Sequence, residues 1–192
     1  MRLRLLTMLF LIMTCSLSAE DDNESSEGPF TSPGVATYEN GQWVGSDHLF
    51  NLSNEINVNV DLLLGDHVQL PLTQDEIKKN VEKVFEDAKL VTNPDSNNVP
   101  LPYFNMFIMV YSIPEGYAYV VEGRLFEEVK LARVVLDESI HFQAITWERQ
   151  SINISSEKDF KNNLTNAIAE ISKMFTDQYH YFELLKLRQK TQ

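Results

Sequence analysis

The sequence predicts an α+β domain of order β-α-β-β-β-α, a largely antiparallel sheet with two helices packed on one face and an extra N-terminal hairpin. Three observations predict it. Residues 55–63 alternate strictly between apolar and polar side chains, and a capping box opens a helix soon after them. After three strand-like segments, a long apolar stripe of helical period closes the chain.

The hairpin comes first. Residues 35–50 alternate loosely around Asn40-Gly41, a favoured turn pair, with Tyr38 and Trp43 flanking it. In residues 55–63, Ile56, Val58, Val60 and Leu62 face one way while Asn57, Asn59 and Asp61 face the other, which is the pattern of a half-buried strand. The chain turns through Gly65-Asp66 and reaches Thr73-Gln74-Asp75-Glu76. There the Thr73 hydroxyl can accept from the Glu76 amide, and the Glu76 carboxylate from the Thr73 amide. Ile77, Val81, Val84, Phe85 and Ala88 follow at helical spacing, so residues 74–89 form a helix with one packed stripe. A loop rich in proline and asparagine spans residues 93–102.

Residues 103–113 are apolar on both faces, which suits a central strand. Pro114-Glu115-Gly116 turns the chain, and residues 117–135 return as a long strand in which Gly123 marks a bulge. The third strand covers residues 139–149, with Ile140, Phe142 and Ala144 on one face and His141, Gln143, Ile145 and Trp147 on the other. Ser156 to Asp159 open the last helix. Its stripe of Phe160, Leu164, Ala167, Ile168, Ile171, Met174, Phe175, Tyr179 and Phe182 runs to about Leu187.

Ahead of this single domain, residues 35–190, the chain carries the charge order of a secretory signal. Arg2 and Arg4 precede an apolar run over residues 5–13, small residues follow to Ala19, and Glu20-Asp21-Asp22 come next. The run is far shorter than the roughly 20 residues that span a bilayer, and no later segment is continuously apolar enough, so the mature chain is expected to hold no transmembrane segment. Residues 20–34, rich in carboxylates, hydroxyls, proline and glycine, read as a disordered acidic tether. Cys15 is the only cysteine. Cleavage after Ala19 removes it and releases a thiol-free protein, periplasmic or secreted. A cysteine between an apolar run and a polar tether is also how bacterial lipoproteins begin, which would retain the chain in the envelope through a lipid on Cys15.

The net charge of −12 becomes more negative once Arg2 and Arg4 are removed, and repels phosphate backbones, so nucleic acid is excluded as a partner. No G-x-S-x-G turn, phosphate-cradling loop, HExxH pattern or calcium loop occurs, so no catalytic residue, cofactor or metal is assigned. Asp47-His48 and Asp66-His67 lie beside glycines, which is ordinary turn chemistry. The pairs Glu127-Glu128 and Asp137-Glu138 leave a paired-acid hydrolase open on composition alone. More informative is the second face of the sheet. Phe107, Met109 and Tyr111 share a parity on the first meander strand, Tyr117, Tyr119 and Val121 on the next, and His141, Ile145 and Trp147 on the third. With the helices on the opposite face, Phe107, Tyr111, Tyr119, His141 and Trp147 would form an aromatic platform for a partner. The alternative is that the N-terminal hairpin covers them as a second core.

At Ile145-Thr146-Trp147-Glu148-Arg149, followed by a long helix holding Phe175 and Tyr179, the chain resembles small exported bacterial proteins of unknown function. In those a Thr-Trp strand precedes a C-terminal amphipathic helix. Over roughly residues 54–182 the order of elements is also similar to small α+β domains of envelope assembly proteins, such as the N-terminal domain of TolB. The resemblance implies an envelope or periplasmic setting and carries over no catalytic residue. These readings converge on a non-enzymatic module that binds a protein or another envelope component. A small-molecule or lipid-binding module and a small hydrolase stand as alternatives. Intact mass of the exported protein checks the first step: Glu20 is expected as the first residue, and a lipidated Cys15 in that place would replace release by anchoring.

Overall fold

Strands β1 (Val35–Glu39) and β2 (Gln42–Ser46) pair antiparallel as a hairpin, with Tyr38 opposite Trp43. A separate four-stranded sheet has the spatial order β3 (Asn57–Leu64), β4 (Tyr103–Ile113), β5 (Gly116–Val129) and β6 (Phe142–Ser155). These elements come from a computed structural model that describes residues 35–39, 42–46, 49–92, 102–130 and 142–189. The expected signal and tether, Cys15 and the expected start of the third meander strand, including His141, lie outside the described residues.

Helix α1 (Gln74–Asp87) joins β3 to β4, which are parallel; β4, β5 and β6 form an antiparallel meander; and α2 (Phe160–Gln189) ends the fold. A parallel pair cannot be joined by a tight turn, and α1 is the crossover that it requires. The expected order β-α-β-β-β-α is the one observed, as an α+β fold with a mixed sheet. Both helices bury their apolar stripes against one face.

Local chemistry starts each helix. The Glu76 amide donates to Thr73 Oγ1 over 3.2 Å, and the Thr73 amide donates to Glu76 Oε2 over 2.7 Å. That backbone hydrogen bond, first among the causes, holds the Glu76 carboxyl below the usual carboxylate range. Ile77, Val81 and Phe85 then fall on the buried side of α1. The α2 stripe buries Phe160, Leu164, Ile168, Ile171, Phe175, Tyr179 and Phe182. Phe160 stacks on Tyr117 near the start of β5, with ring centroids 4.4 Å apart, while Phe175 meets Trp147 at 5.1 Å. Fifteen helical residues rise about 22 Å. The eight strand residues from Tyr117 to Leu125, the neighbour of Trp147, rise about 26 Å, so α2 runs alongside β5 in the same direction.

Phe85 of α1, Phe104 of β4, Phe175 of α2 and Trp147 of β6 form one ring cluster. Phe104 lies 5.0 Å from both Phe85 and Phe175, and Phe85 stacks on Phe175 at 5.1 Å. Trp147 is fully buried, and its indole Nε1 donates to Gln178 Oε1 over 2.8 Å, so its polar atom is satisfied within the core.

Gly123 has a different role from the expected one. The irregularity in the ladder lies between Leu125 and Phe126, where β6 inserts Thr146 between the partners Trp147 and Ile145. Gly123 instead sits beneath α2: a Cβ there would come within 2.6 Å of Ile171 Cγ2 and of Phe104 Cζ. It gives α2 and the Phe104 ring their close approach to β5. Gly123→Ala is therefore expected to destabilise the fold by about 1–3 kcal/mol in urea unfolding, as overpacked cores do. Unchanged stability would show that the helix is not seated this closely.

Candidate functional site on the open sheet face

The face of the sheet opposite the helices is built in rows across four strands. The two-residue turn Pro114-Glu115 pairs Ile113 with Gly116, so odd positions of β4 lie beside even positions of β5. One row reads Asn57, Tyr103, Phe126, Ile145; the next Asn59, Asn105, Arg124, Glu148; then Asp61, Phe107, Glu122, Gln150. Leu63, Met109, Val120 and Ile152 follow, and Tyr111, Ala118 and Ile154 end the face. The surface is thus charged in the middle and apolar beyond. Ile152 and Ile154 are each 74% exposed and Tyr111 is 48% exposed.

This register corrects the expected platform. Phe107 and Tyr111 lie on the open face, as expected from their parity, with Phe107 half-buried under the Arg124 guanidinium at 5.8 Å. Tyr119 and Trp147 do not join them. They belong to the helix side, 3% and 0% exposed, where Tyr119 packs edge-on against Phe160 and burial pushes its phenol pKa up. Two physical causes divide the set. The short turn reverses parity between β4 and β5, and the extra residue Thr146 reverses it again along β6, so Ile145 and Trp147 face opposite ways. His141 lies outside the described residues. α2 covers Tyr119 and Trp147, through Phe160 and Phe175.

Sequence reasoning missed the most exposed residues of the face. Ile152 and Ile154 lie past Arg149, the expected end of the strand, although Ser151-Ile152-Asn153-Ile154-Ser155 alternates strictly and carried the signal. It also missed the charged row. Arg124 Nε donates to both Glu122 Oε1 and Glu148 Oε1 at 2.8 Å, and its Nη2 reaches Glu122 Oε2 at 2.8 Å. One guanidinium therefore serves two carboxylates. Asn59 Nδ2 donates to Asn105 Oδ1 at 3.2 Å beside them. Burial, and then the neighbouring Glu148, push the Glu122 carboxyl up to about 7, against the pull of Arg124.

The remaining sequence candidates are dispersed. His67 is an exposed turn residue with φ of 63°, in the turn closed by Val68 N–H and the Gly65 carbonyl. Among the described residues no group of three or more histidine, cysteine or carboxylate side chains could hold a metal. Of the carboxylate pairs, Asp137-Glu138 lies outside the described residues, and Glu127 accepts a hydrogen bond from Thr146. A groove of about 570 Å³ opens where the loop around Asn51 and the end of α1 meet α2. It is lined by Asn51, Asn54, Lys89, His180, Glu183 and Lys186, a charged lining unlike an apolar ligand cavity. Among the described residues no helix is long and apolar enough to cross a membrane.

A carboxyl titrating near 7 in the native state and near 4.5 when unfolded binds its proton more tightly in the fold. Its contribution to stability is greatest below pH 4.5 and is lost as pH rises towards 7. Part of the unfolding free energy is thus expected to fall between pH 5 and pH 8. In Glu122→Gln this component should vanish, with the gap from wild type widening by at least about 1 kcal/mol over that range. Parallel pH profiles for the two proteins would show that Glu122 is charged throughout.

No protein-family profile and no curated protein matches the chain. Among solved structures, a crystal structure of an uncharacterized protein is similar at a TM-score of 0.34 and 8% identity, over 68% of this chain and 95% of that one. A likeness this low carries no functional argument.

Proposed function

We propose that the chain is a non-enzymatic interaction module of the cell envelope or periplasm that binds a protein through the open face of its sheet. One observation carries the reading: Ile152 and Ile154, each 74% exposed, adjoin Met109, Val120 and Tyr111 on a face that holds neither helix. Water-exposed β-branched side chains in contiguous rows gain free energy when a partner covers them, at about 25 cal/mol per Å² of apolar area. The export signal read in residues 1–19 supports the setting. Against a hydrolase, the two carboxylates that meet on this face, Glu122 and Glu148, are both engaged by the Arg124 guanidinium. Against a small-molecule module, the groove beside α2 is lined by charged and amide side chains.

The test is site-specific photo-crosslinking in the native envelope fraction. A crosslinker at Ile152 or Tyr111 is expected to give a discrete adduct that Ile154→Asp abolishes. Adducts arising instead from Leu184 and Tyr181, exposed on α2, would move the binding surface to the helix and overturn the reading.

A further inference from the structure

The two edges of the sheet are not alike. Beyond β3, Val91 bridges the chain, accepting from the Ile56 amide at 2.9 Å and donating to the Asn54 carbonyl at 2.8 Å. Farther along, the Gln74 side chain donates to the Val60 carbonyl, and Asp61 stands exposed on the strand. Those are the ordinary guards against edge pairing: covered backbone groups and a charge. Among the described residues, strand β6 shows none of them over residues 150–155. The segment Gln150-Ser151-Ile152-Asn153-Ile154-Ser155 has no charge and no proline, and among the described residues β6 pairs with β5 alone. Its pairing with β5 is regular there, because the ladder irregularity lies farther back, at Thr146. An unguarded edge with alternating isoleucines is a template for another strand.

If the open face binds protein, as proposed above, this edge decides which kind. We infer that residues 148–154 of β6, the uncharged run together with the Glu148 before it, pair with an extended segment of a partner protein, running antiparallel. Two alternate apolar side chains of that segment lie beside Ile154 and Ile152, and a lysine or arginine lies beside Glu148. The charge on the page selects this occupant. Glu122 and Glu148 share one guanidinium, so the patch beside Glu148 holds two carboxyls to one cation. The chain as a whole carries −12, which opposes a second copy of itself and attracts a basic segment. Antiparallel pairing continues the β4-β5-β6 meander and is the more stable ladder per residue. In that direction the partner reads apolar-x-apolar-x-polar-x-basic.

The test uses the full chain and a labelled peptide, Val-Thr-Val-Thr-Ser-Thr-Lys, followed by fluorescence anisotropy and by amide hydrogen exchange. Saturable binding is expected, with slowed exchange at amides of residues 148–154. Replacing the peptide lysine by glutamate should weaken binding about tenfold. Glu148→Gln should erase most of that difference. Methylating alternate peptide amides, in the phase that faces β6, should abolish binding. Equal binding of both methylated phases would overturn edge pairing while leaving docking on the face intact. Absence of peptide binding alongside a persistent Ile152 crosslink would do the same. Self-association of the chain with slowed exchange at residues 148–154 would make the occupant a second copy and overturn the inference.

Discussion

Four rings meeting at the centre of the domain set the rest of the structure. Phe85, Phe104, Phe175 and Trp147 come from α1, β4, α2 and β6, so this one cluster ties both helices and both antiparallel partners of β5 to a single face. Each ring contact adds roughly 0.5–1.5 kcal/mol beyond the apolar area that it buries. The cluster requires Trp147 to point towards α2 and Gly123 to leave room for Phe104 and Ile171. With both helices committed to that side, the opposite face is left to polar rows and exposed isoleucines.

The charged row has two consequences for that face. It places a strongly hydrogen-bonded, half-buried network between Tyr103, stacked on Phe126 at 4.7 Å, and the apolar end at Ile152 and Ile154. It also leaves one carboxyl under-compensated, since a single guanidinium cannot neutralise two. Burial is the larger cause of the raised Glu122 carboxyl and the neighbouring Glu148 the next, and a partner's cation would act on the second of these. Burial of apolar side chains and relief of charge crowding thus favour the same kind of partner.

How much of this was legible in the sequence follows from how local each cause is. The α1 cap lies within four residues, Thr73 to Glu76, and the structure shows both of its hydrogen bonds. The β3 alternation and the α2 stripe are likewise written in single segments, and their faces came out as expected except at Met174, which is exposed. What failed was the relation between strands. Tyr119 and Trp147 were assigned to the open face because parity was carried across a turn and a bulge, each of which shifts it by one. A one-residue shift moves a side chain from one side of a sheet to the other, and no single segment records it. The network of Glu122, Arg124 and Glu148 was hidden for the same reason, since Glu148 joins the other two only through the β5–β6 register. The extension of β6 to Ser155 was readable, and its strict alternation is the lesson of that segment.

The central claim is that the aromatic cluster turns one face inward and leaves the other to solvent. Solvent paramagnetic relaxation in NMR measures this directly, with isoleucine methyls and tryptophan indoles labelled and a soluble gadolinium chelate added. The account predicts strong broadening of the Ile152 and Ile154 methyls, with the Trp147 indole and the Ile168 and Ile171 methyls spared. Protected Ile152 and Ile154 signals, or a broadened Trp147 indole, would contradict it.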